Sequence, residues 1–444
     1  MGRCAVSTQK QKRPFALRAL AAFAGTLAIL FVLLLAAYAL PGERVRQHVY
    51  DSARTIQNEG LYPEYLGFKL FQMDNYTDTL MLFEAASADE LPPLQAMMTN
   101  TAYNVDNFET LADDLAWYIE KDWSTGAQRT DAPTLEPFSY ARYWHGYLIW
   151  LRPLLLLMPY TGVRIVQYIV LFALLAVVLV QLRRRCGLRA AVWFAVSQLA
   201  VSVWFVPHQV QYFTCFMIAY AGCAWVLAKP RRSDVLCLGL LVLGTATAFC
   251  DLLVTPIITL GLPLTCWLLE PQQRLRGGVP QCALAVGGSL CWGTGYALCW
   301  AGKWALAGAV TNNNVLADAL HQAEVRTTAD TWHGMELTWR NISIFLYDTL
   351  NSHHLFWPAL AVLAVLIALF ILSIRSKTAL VRALPLALTT CMTPAWFVLL
   401  RTHSIQHGWF TWRALGLTVF AGLAFLYYAC DLRAARRRLQ KGSI

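Results

Sequence analysis

Long apolar runs separated by polar connections are the feature that most constrains this chain. Each run has roughly 16 to 24 residues, and about 20 apolar residues in a helix cross a hydrocarbon core of roughly 30 Å. The runs cover about 17–40, 163–182, 190–206, 210–228, 235–250, 252–269, 279–301, 357–374, 383–400 and 414–430. The pattern predicts an all-α, polytopic membrane protein with about ten transmembrane helices.

The composition favours the same class. Of the 444 residues, 57% are hydrophobic and 14% are charged, whereas about 25% charged residues is usual in soluble domains. The 17 Trp and 18 Tyr fit the aromatic belts at two membrane interfaces. The twelve Cys have no zinc or redox spacing and indicate apolar packing. The net charge of +10 therefore indicates topology, and nucleic acid is excluded as a partner.

Basic residues fall in alternate connections, as the positive-inside rule requires. These connections hold Arg183, Arg184, Arg185 and Arg189, then Lys229, Arg231 and Arg232, then Arg274 and Arg276, then Arg375, Lys377 and Arg382. The tails 1–16 and 431–444 are basic too, so both termini are predicted to be cytoplasmic, in a multi-pass protein of a bacterial plasma membrane. The run 17–40 is predicted to be a retained signal anchor; the alternative is a cleaved signal peptide, because Ala37-Tyr38-Ala39 resembles a cleavage site.

The segments between these connections are predicted to be extracytoplasmic. The first, 41–160, has 17 acidic and 6 basic residues between 41 and 140 and is expected to form short surface helices, with an interfacial segment at 143–159. A six-helix block at 161–301 follows, with a break near Asp251, Thr255 and Pro256. A second extracytoplasmic loop at 302–356 and a three-helix block at 357–430 complete the prediction.

This topology places all nine histidines and several other ionisable residues on the outer face. Ionisable groups at the edge of hydrocarbon are costly unless they are paired or hydrated, so they are candidates for function. The candidates are Asp74, Asp78, Arg142, His145, His208, Asp251, Lys303, His403, His407 and Arg413.

Asp74 and Asp78 lie four residues apart, which would place both carboxylates on one face of a helix. Two such carboxylates suit general-base chemistry, or a divalent metal ion such as Mg or Mn held by oxygen ligands. The alternatives are solvated acids in an acidic loop, or a cap at a helix end.

The stretch from Arg401 to Arg413 combines His403 and His407 at helical spacing with a nearby arginine. Such residues suit a phosphate or pyrophosphate group at the interface, which arginine can hold with two hydrogen bonds. An aromatic-rich interfacial turn is the alternative. Arg142 and His145 have the same two interpretations.

Two candidates have simpler alternatives. Asp251 is expected either to bind substrate or to cap a helix at the break. Lys303, placed just past a helix end, is either a substrate ligand or a lysine that extends its ammonium to the interface.

The organisation resembles the GT-C superfamily of membrane glycosyltransferases, through its inside amino terminus, about ten helices, a long first outer loop with the acidic pair Asp74 and Asp78, and later outer loops with basic and aromatic residues. The segments Tyr140 to Trp150 and His403 to Arg413 look like motifs of a family whose activity they do not identify. The resemblance implies inverting transfer of a sugar from a polyprenyl-phosphate-linked donor to an extracytoplasmic glycan, lipid or protein. It implies that Asp74 is the base and Asp78 its partner or a metal ligand. His403, His407 and Arg413 would hold the donor phosphate, with Arg142, His145 and Lys303 as alternates.

Two other functions stay open. A transporter or flippase for a lipid-linked or anionic substrate would place charges near interrupted helices, as at Asp251. A membrane-bound acyltransferase would use His208 or His403 as base.

Overall fold

The computed structural model describes residues 14–67, 71–88, 90–104, 136–328, 331–332, 335–336, 356–431 and 433. Within these ranges the chain is helical almost throughout, and its strands form two short antiparallel pairs. The predicted class, a polytopic all-α membrane protein, is confirmed. The histidines at 333, 353 and 354 lie outside the described residues.

The elements follow one another as a series of long helices with shorter ones between them. The helices are α1 (Phe15–Tyr38), α2 (Glu43–Glu59), α3 (Asn75–Ser87), α4 (Pro93–Thr99), α5 (Leu148–Leu155), α6 (Tyr160–Arg185), α7 (Leu188–Ala200), α8 (Val210–Ala228), α9 (Ser233–Cys250), α10 (Ile257–Leu269), α11 (Pro271–Arg276), α12 (Val279–Thr311), α13 (Val315–Thr328), α14 (Phe356–Ser373), α15 (Lys377–Leu399), α16 (Arg401–Gln406), α17 (Gly408–Thr411) and α18 (Leu415–Ala429). The strands are β1 (Thr101–Asn104) paired with β2 (Glu136–Ser139), and β3 (Thr331–Trp332) paired with β4 (Met335–Glu336).

Among the residues that the structure describes, seven helical segments are long and apolar enough to cross a membrane. They are Phe15–Tyr38, Tyr160–Arg185, Val210–Ala228, Ser233–Cys250, Val279–Thr311, Lys377–Leu399 and Gly408–Ala429. The apolar helices Leu188–Ala200 and Ile257–Leu269 and the part Phe356–Ala368 of α14 are shorter. Each predicted run therefore contains a helix, but a count of ten full-length spans is not confirmed.

The connections predicted to be basic lie together at one end of the helix bundle. Arg18 at the start of α1 pairs with Asp234 at the start of α9, at 2.9 Å. Arg185 at the end of α6 pairs with Glu270, between α10 and α11, also at 2.9 Å. The backbone of Arg375 bonds the end of α18. We call this the basic end, and the candidate residues lie at the opposite end, which we call the site end.

The segment predicted to carry surface helices packs into the protein instead. Along α3, ten of thirteen residues are buried, including Phe83 and Glu84. Helix α5 has eight residues, a length of about 12 Å, and buries Arg152, which donates to the carbonyls of Ala37 and Tyr38 at the end of α1. The expectation of surface helices is wrong for α3, because its polar side chains, such as Asn75, Asp78 and Glu84, are buried together with its apolar ones.

Helix α12 continues to Thr311, beyond the predicted end of the six-helix block at 301. It ends where Asn312 adopts a left-handed conformation with φ 57°. Trp304 to Thr311 therefore extend the helix by further turns past the predicted boundary, and the start of the second extracytoplasmic loop at 302 stays a prediction.

Helices α9 and α12 pack closely because two glycines face each other's backbones. A Cβ placed on Gly244 would lie 2.1 Å from the Trp292 carbonyl oxygen, and one on Gly295 would lie 2.2 Å from the Leu241 carbonyl oxygen. Small residues of this kind let two membrane helices approach at backbone distance. Nearby, Gly293 faces open space.

Candidate functional site

Asp74 lies just before α3 and caps it. Its Oδ1 accepts the backbone N–H of Thr77 at 2.9 Å, and its Oδ2 accepts the Thr77 hydroxyl at 3.0 Å. The backbone N–H of Asp74 donates to Gln209 at 3.0 Å. The prediction that Asp74 and Asp78 share a helical face is therefore wrong, because Asp74 precedes the helix, and the capping interpretation describes it better.

Asp78 is fully buried and contacts the start of a different helix. Its two oxygens accept the backbone N–H groups of Val210 at 3.0 Å and Gln211 at 3.2 Å, at the N-terminus of α8. The hydroxyl of Tyr160 donates to it as well. Burial raises the pKa of Asp78 to about 8, against the hydrogen bonds from α8. Both oxygens are engaged, so Asp78 joins α3 to two membrane helices.

The two aspartates do not form a divalent metal site. The oxygens of Asp74 cap α3 and those of Asp78 cap α8. Among the described residues, no group of three or more His, Cys, Asp or Glu could hold a metal ion. Mg and Mn need several convergent oxygen ligands, and the side chains around this pair do not provide them.

Arg413 lies at the same end of the bundle and is almost fully buried. Its Nη1 donates to the Trp409 carbonyl at 3.1 Å, and its guanidinium stacks over the Tyr212 ring at 4.5 Å. Its Nε and Nη2 and the Tyr212 hydroxyl form no hydrogen bond of normal geometry among the described residues, although the guanidinium and this hydroxyl lie close enough to interact. Burying a guanidinium with unused donors costs free energy unless an anion binds to it.

Trp409 connects Arg413 with Asp74. Its carbonyl accepts from Arg413, and its indole Nε1 approaches the Asp74 carboxylate closely enough to stabilise the charged form, although no bond of normal geometry forms. Burial has the largest effect on this carboxylate and raises the pKa of Asp74 above its ordinary value. The Tyr212 hydroxyl interacts electrostatically with both the Arg413 guanidinium and the Asp74 carboxylate. We call Asp74, Gln211, Tyr212, Trp409 and Arg413 the aspartate–arginine cluster.

His403 and His407 lie side by side, with ring centroids 4.7 Å apart. His403 Nε2 contacts the Leu253 carbonyl at 3.0 Å, and the Nδ1 atoms of both rings have no partner in the described part of the chain. Burial, helped by the charge of Arg326, lowers the pKa of His407 to about 4 and lowers that of His403 as well. Both rings are therefore neutral at pH 7, so they can exchange hydrogen bonds with a phosphate but cannot supply positive charge.

An aromatic cavity of about 120 Å³ lies against the histidine pair. Leu253, whose carbonyl contacts His403, lines it. Its other principal walls are Arg142, Tyr143, Tyr296, Trp300, Trp304, Arg326 and Trp396. Arg142 stacks on Tyr140 at 4.4 Å and pairs with the half-exposed Asp318 at 3.2 Å. The cavity therefore combines aromatic faces with two guanidinium groups.

His145 belongs to a separate buried cluster. Its Nδ1 lies 2.6 Å from Glu84 Oε2, and its Nε2 lies 3.3 Å from the Tyr140 carbonyl. The Tyr147 hydroxyl donates to the same carboxylate. His145 also has a left-handed backbone, with φ 55°, which is uncommon for a residue with a side chain. These contacts leave His145 engaged inside the protein and distinct from the aspartate–arginine cluster.

Lys303 does not lie past a helix end, as predicted, but inside α12. Its Nζ donates to the carbonyls of Met97 at 2.7 Å and Met98 at 3.3 Å, near the end of α4. The ammonium also lies 5.4 Å from the Trp144 ring centroid. The side chain is fully buried, so it neither extends to the interface nor reaches the other candidates. Its ammonium supplies hydrogen-bond donors to carbonyls in the last turn of α4, which have no partner within the helix.

Asp251 forms the predicted break between α9 and α10. Its Oδ1 accepts the Val254 N–H at 3.2 Å, and its Oδ2 has no hydrogen-bond partner among the described residues. Burial raises the pKa of Asp251 to about 6. It therefore shapes the turn after α9 and does not cap the start of α10 at Ile257.

His208 borders the aspartate–arginine cluster. Its Nε2 contacts the Tyr65 hydroxyl at 3.1 Å, and its carbonyl accepts from Arg164 at 2.9 Å. Burial and the charge of Arg164 lower the pKa of His208 to about 4. Arg164 in turn pairs with Glu59 at 2.5 Å. His208 is neutral at pH 7 and supports the start of α8.

Several residues of this end escaped the sequence prediction. Arg164 and Glu84 each stand alone in an apolar stretch, and a lone charge in such a stretch is a signal that could have found them. Gln211, Tyr212 and Arg326 carry no such signal. Comparisons with protein-family models, curated proteins and solved structures found no match.

Proposed function

We propose that the protein is a membrane glycosyltransferase that uses a polyprenyl-phosphate-linked sugar and an extracytoplasmic acceptor hydroxyl. The observation that carries the proposal is the aspartate–arginine cluster. It brings a buried carboxylate of raised pKa and a buried guanidinium with unused donors to one end of the bundle. A base and an anion site are the two functions that transfer from a phosphate-linked sugar requires.

In this reaction, Asp74 takes the proton from the acceptor hydroxyl. The acceptor oxygen attacks the anomeric carbon as the bond from that carbon to the phosphate oxygen breaks, which inverts the configuration. The polyprenyl phosphate leaves with the bonding electrons. Arg413 meets the charge that develops on it, because its Nε and Nη2 are available as donors. Asp78 positions α3 against α8 and does not act as a base or metal ligand.

The neighbouring groups have supporting roles in the same proposal. His403 and His407 are neutral at pH 7 and offer Nδ1 atoms to phosphate oxygens. The aromatic cavity suits a sugar ring, since apolar sugar faces pack on aromatic side chains, and Arg142 and Arg326 line it. Lys303 and His145 are left out, because Lys303 contacts the end of α4 and His145 contacts Glu84, and neither contacts the aspartate–arginine cluster.

The test uses the full-length protein in liposomes with a panel of polyprenyl-phosphate sugars, and it measures released polyprenyl phosphate. We expect Asp74→Asn to abolish release while donor binding stays, and Arg413→Gln to weaken donor binding. Asp51→Asn is the matched control, because Asp51 is an exposed aspartate of the same outer segment. Full turnover in Asp74→Asn would remove Asp74 as the base.

A transporter or flippase remains the second candidate, and Asp251 favours it. Its carboxylate is buried at a helix break with one oxygen lacking a partner among the described residues, and transporters place ionisable groups at such breaks. Movement of a lipid-linked sugar across the bilayer, with no release of polyprenyl phosphate from any donor, would establish this alternative instead.

A further inference from the structure

The basic end contains a groove that the proposed reaction does not use. It consists of two adjoining cavities of about 480 and 570 Å³, which share Arg274, Arg375 and Tyr428 as walls. Arg382 lines the first cavity and Arg189 the second. We call these two cavities the basic groove.

Among the described residues, three of the four arginines of the groove donate to neutral groups. Arg274 donates to the Tyr428 hydroxyl at 2.5 Å, and Arg189 donates to the Tyr427 hydroxyl. Arg375 donates to the Cys430 carbonyl. In the described part of the chain, no carboxylate forms an ion pair with Arg189, Arg274, Arg375 or Arg382.

The acids at this end pair elsewhere. Asp234 binds Arg18 at 2.9 Å, and Glu270 binds Arg185 at 2.9 Å. Asp431 accepts the backbone N–H of Arg433 at 3.0 Å. No carboxylate of the described chain therefore forms an ion pair with the arginines of the groove, whereas Arg18 and Arg185 just outside it are neutralised.

The groove also has two features beyond charge. Helix α15 begins at its edge, where Ser376 caps the helix and Ser376, Thr378 and Ala379 line the cavity. A helix N-terminus adds a partial positive charge and N–H donors. Leu275, which is 85% exposed, and Leu386 supply apolar wall beside the arginines.

We infer that the basic groove binds the phosphate headgroup of an anionic lipid. Several guanidinium groups match a phosphate, since each can donate two hydrogen bonds to its oxygens. The position at the end of the membrane helices, with leucines beside the arginines, favours a lipid phosphate over a soluble one. The inference does not rest on the proposed function, because the groove lies at the opposite end of the bundle from Asp74.

The experiment titrates the full-length protein in detergent with short-chain phosphatidylglycerol and phosphatidylcholine, and it follows occupancy by native mass spectrometry. We expect phosphatidylglycerol to bind preferentially. The double variant Arg274→Gln with Arg375→Gln should weaken this binding about tenfold or more, the loss expected when charge-assisted hydrogen bonds are removed. Arg382→Gln alone, at an exposed position, should weaken it less and tests the groove if the double variant unfolds.

The control is Arg183→Gln with Arg184→Gln, which removes the same charge from exposed positions of the same end outside the groove. Its binding should stay within about twofold of the unmodified protein, because such surface charges contribute little at short range. Three results would overturn the inference: equal binding of both lipids, an equal loss in the control, or displacement of phosphatidylglycerol by inorganic phosphate at matched concentrations.

Discussion

Replacing Asp78 should destabilise the protein more than replacing Asp74. In Asp78→Ala, the N–H groups of Val210 and Gln211 lose their acceptor, whereas the Tyr160 hydroxyl keeps the His208 carbonyl at 3.3 Å. A buried donor left without a partner costs about 1–3 kcal/mol. Because two donors are left without a partner and Tyr160 loses one of its acceptors, the free energy of unfolding should fall by about 3–5 kcal/mol.

The measurement is denaturant-induced unfolding of the full-length protein in one detergent, with Asp51→Ala as an exposed control. Asp78→Asn should lose about half as much as Asp78→Ala, because the amide keeps one acceptor oxygen but turns a donor toward the helix start. Asp74→Asn should lose little, because Asn caps a helix about as well as Asp, whereas Asp74→Ala should lose about 1 kcal/mol. A loss below about 1 kcal/mol in Asp78→Ala would refute the assignment of Asp78 to the start of α8.

Two further perturbations follow from the geometry. The pKa of His407 is lowered to about 4, so between pH 4 and the usual value near 6.5 the folded state binds fewer protons than the unfolded state. The free energy of unfolding should therefore fall as the pH drops from about 6.5 to about 4. This pH dependence should flatten in His407→Gln, and an unchanged slope would assign it to another group. Gly295→Ala should weaken the packing of α9 on α12 by about 2–4 kcal/mol, since its Cβ would lie 2.2 Å from the Leu241 carbonyl oxygen. Gly293 faces open space, so Gly293→Ala should leave the unfolding midpoint nearly unchanged. Equal effects in the two variants would contradict the close approach of the two backbones.

The apolar runs predicted where the long helices lie, because that signal depends only on local composition. The break at Asp251 was predicted for the same reason, since a polar residue and a proline interrupt an apolar run. The helix ends were predicted less well, since α7 ends at Ala200 and not at 206, and α12 continues to Thr311 and not to 301. The clustering of the basic connections also followed from the sequence, since they alternate along a chain that crosses a membrane repeatedly. Each of Arg18, Arg185 and Arg375 contacts the end of another helix at the basic end, as expected.

The roles of individual polar residues could not be predicted in this way. Asp78 bonds a helix that begins more than a hundred positions later in the chain, and Lys303 bonds carbonyls about two hundred positions earlier. Such partners are determined by tertiary packing, which the spacing of two aspartates or the position of one lysine does not encode. Asp74 shows the same limit, because a helix cap and a helix-face residue can have identical spacing from their neighbours.

The bond between Asp78 and the start of α8 has a consequence for biogenesis. The segment that holds Asp78 precedes in the chain the amide groups that it binds, so these bonds form only once the start of α8 is in place. Packing of the later helices then completes the contacts of the earlier segment. A probe of the folding of this segment would therefore report on assembly of the helix bundle.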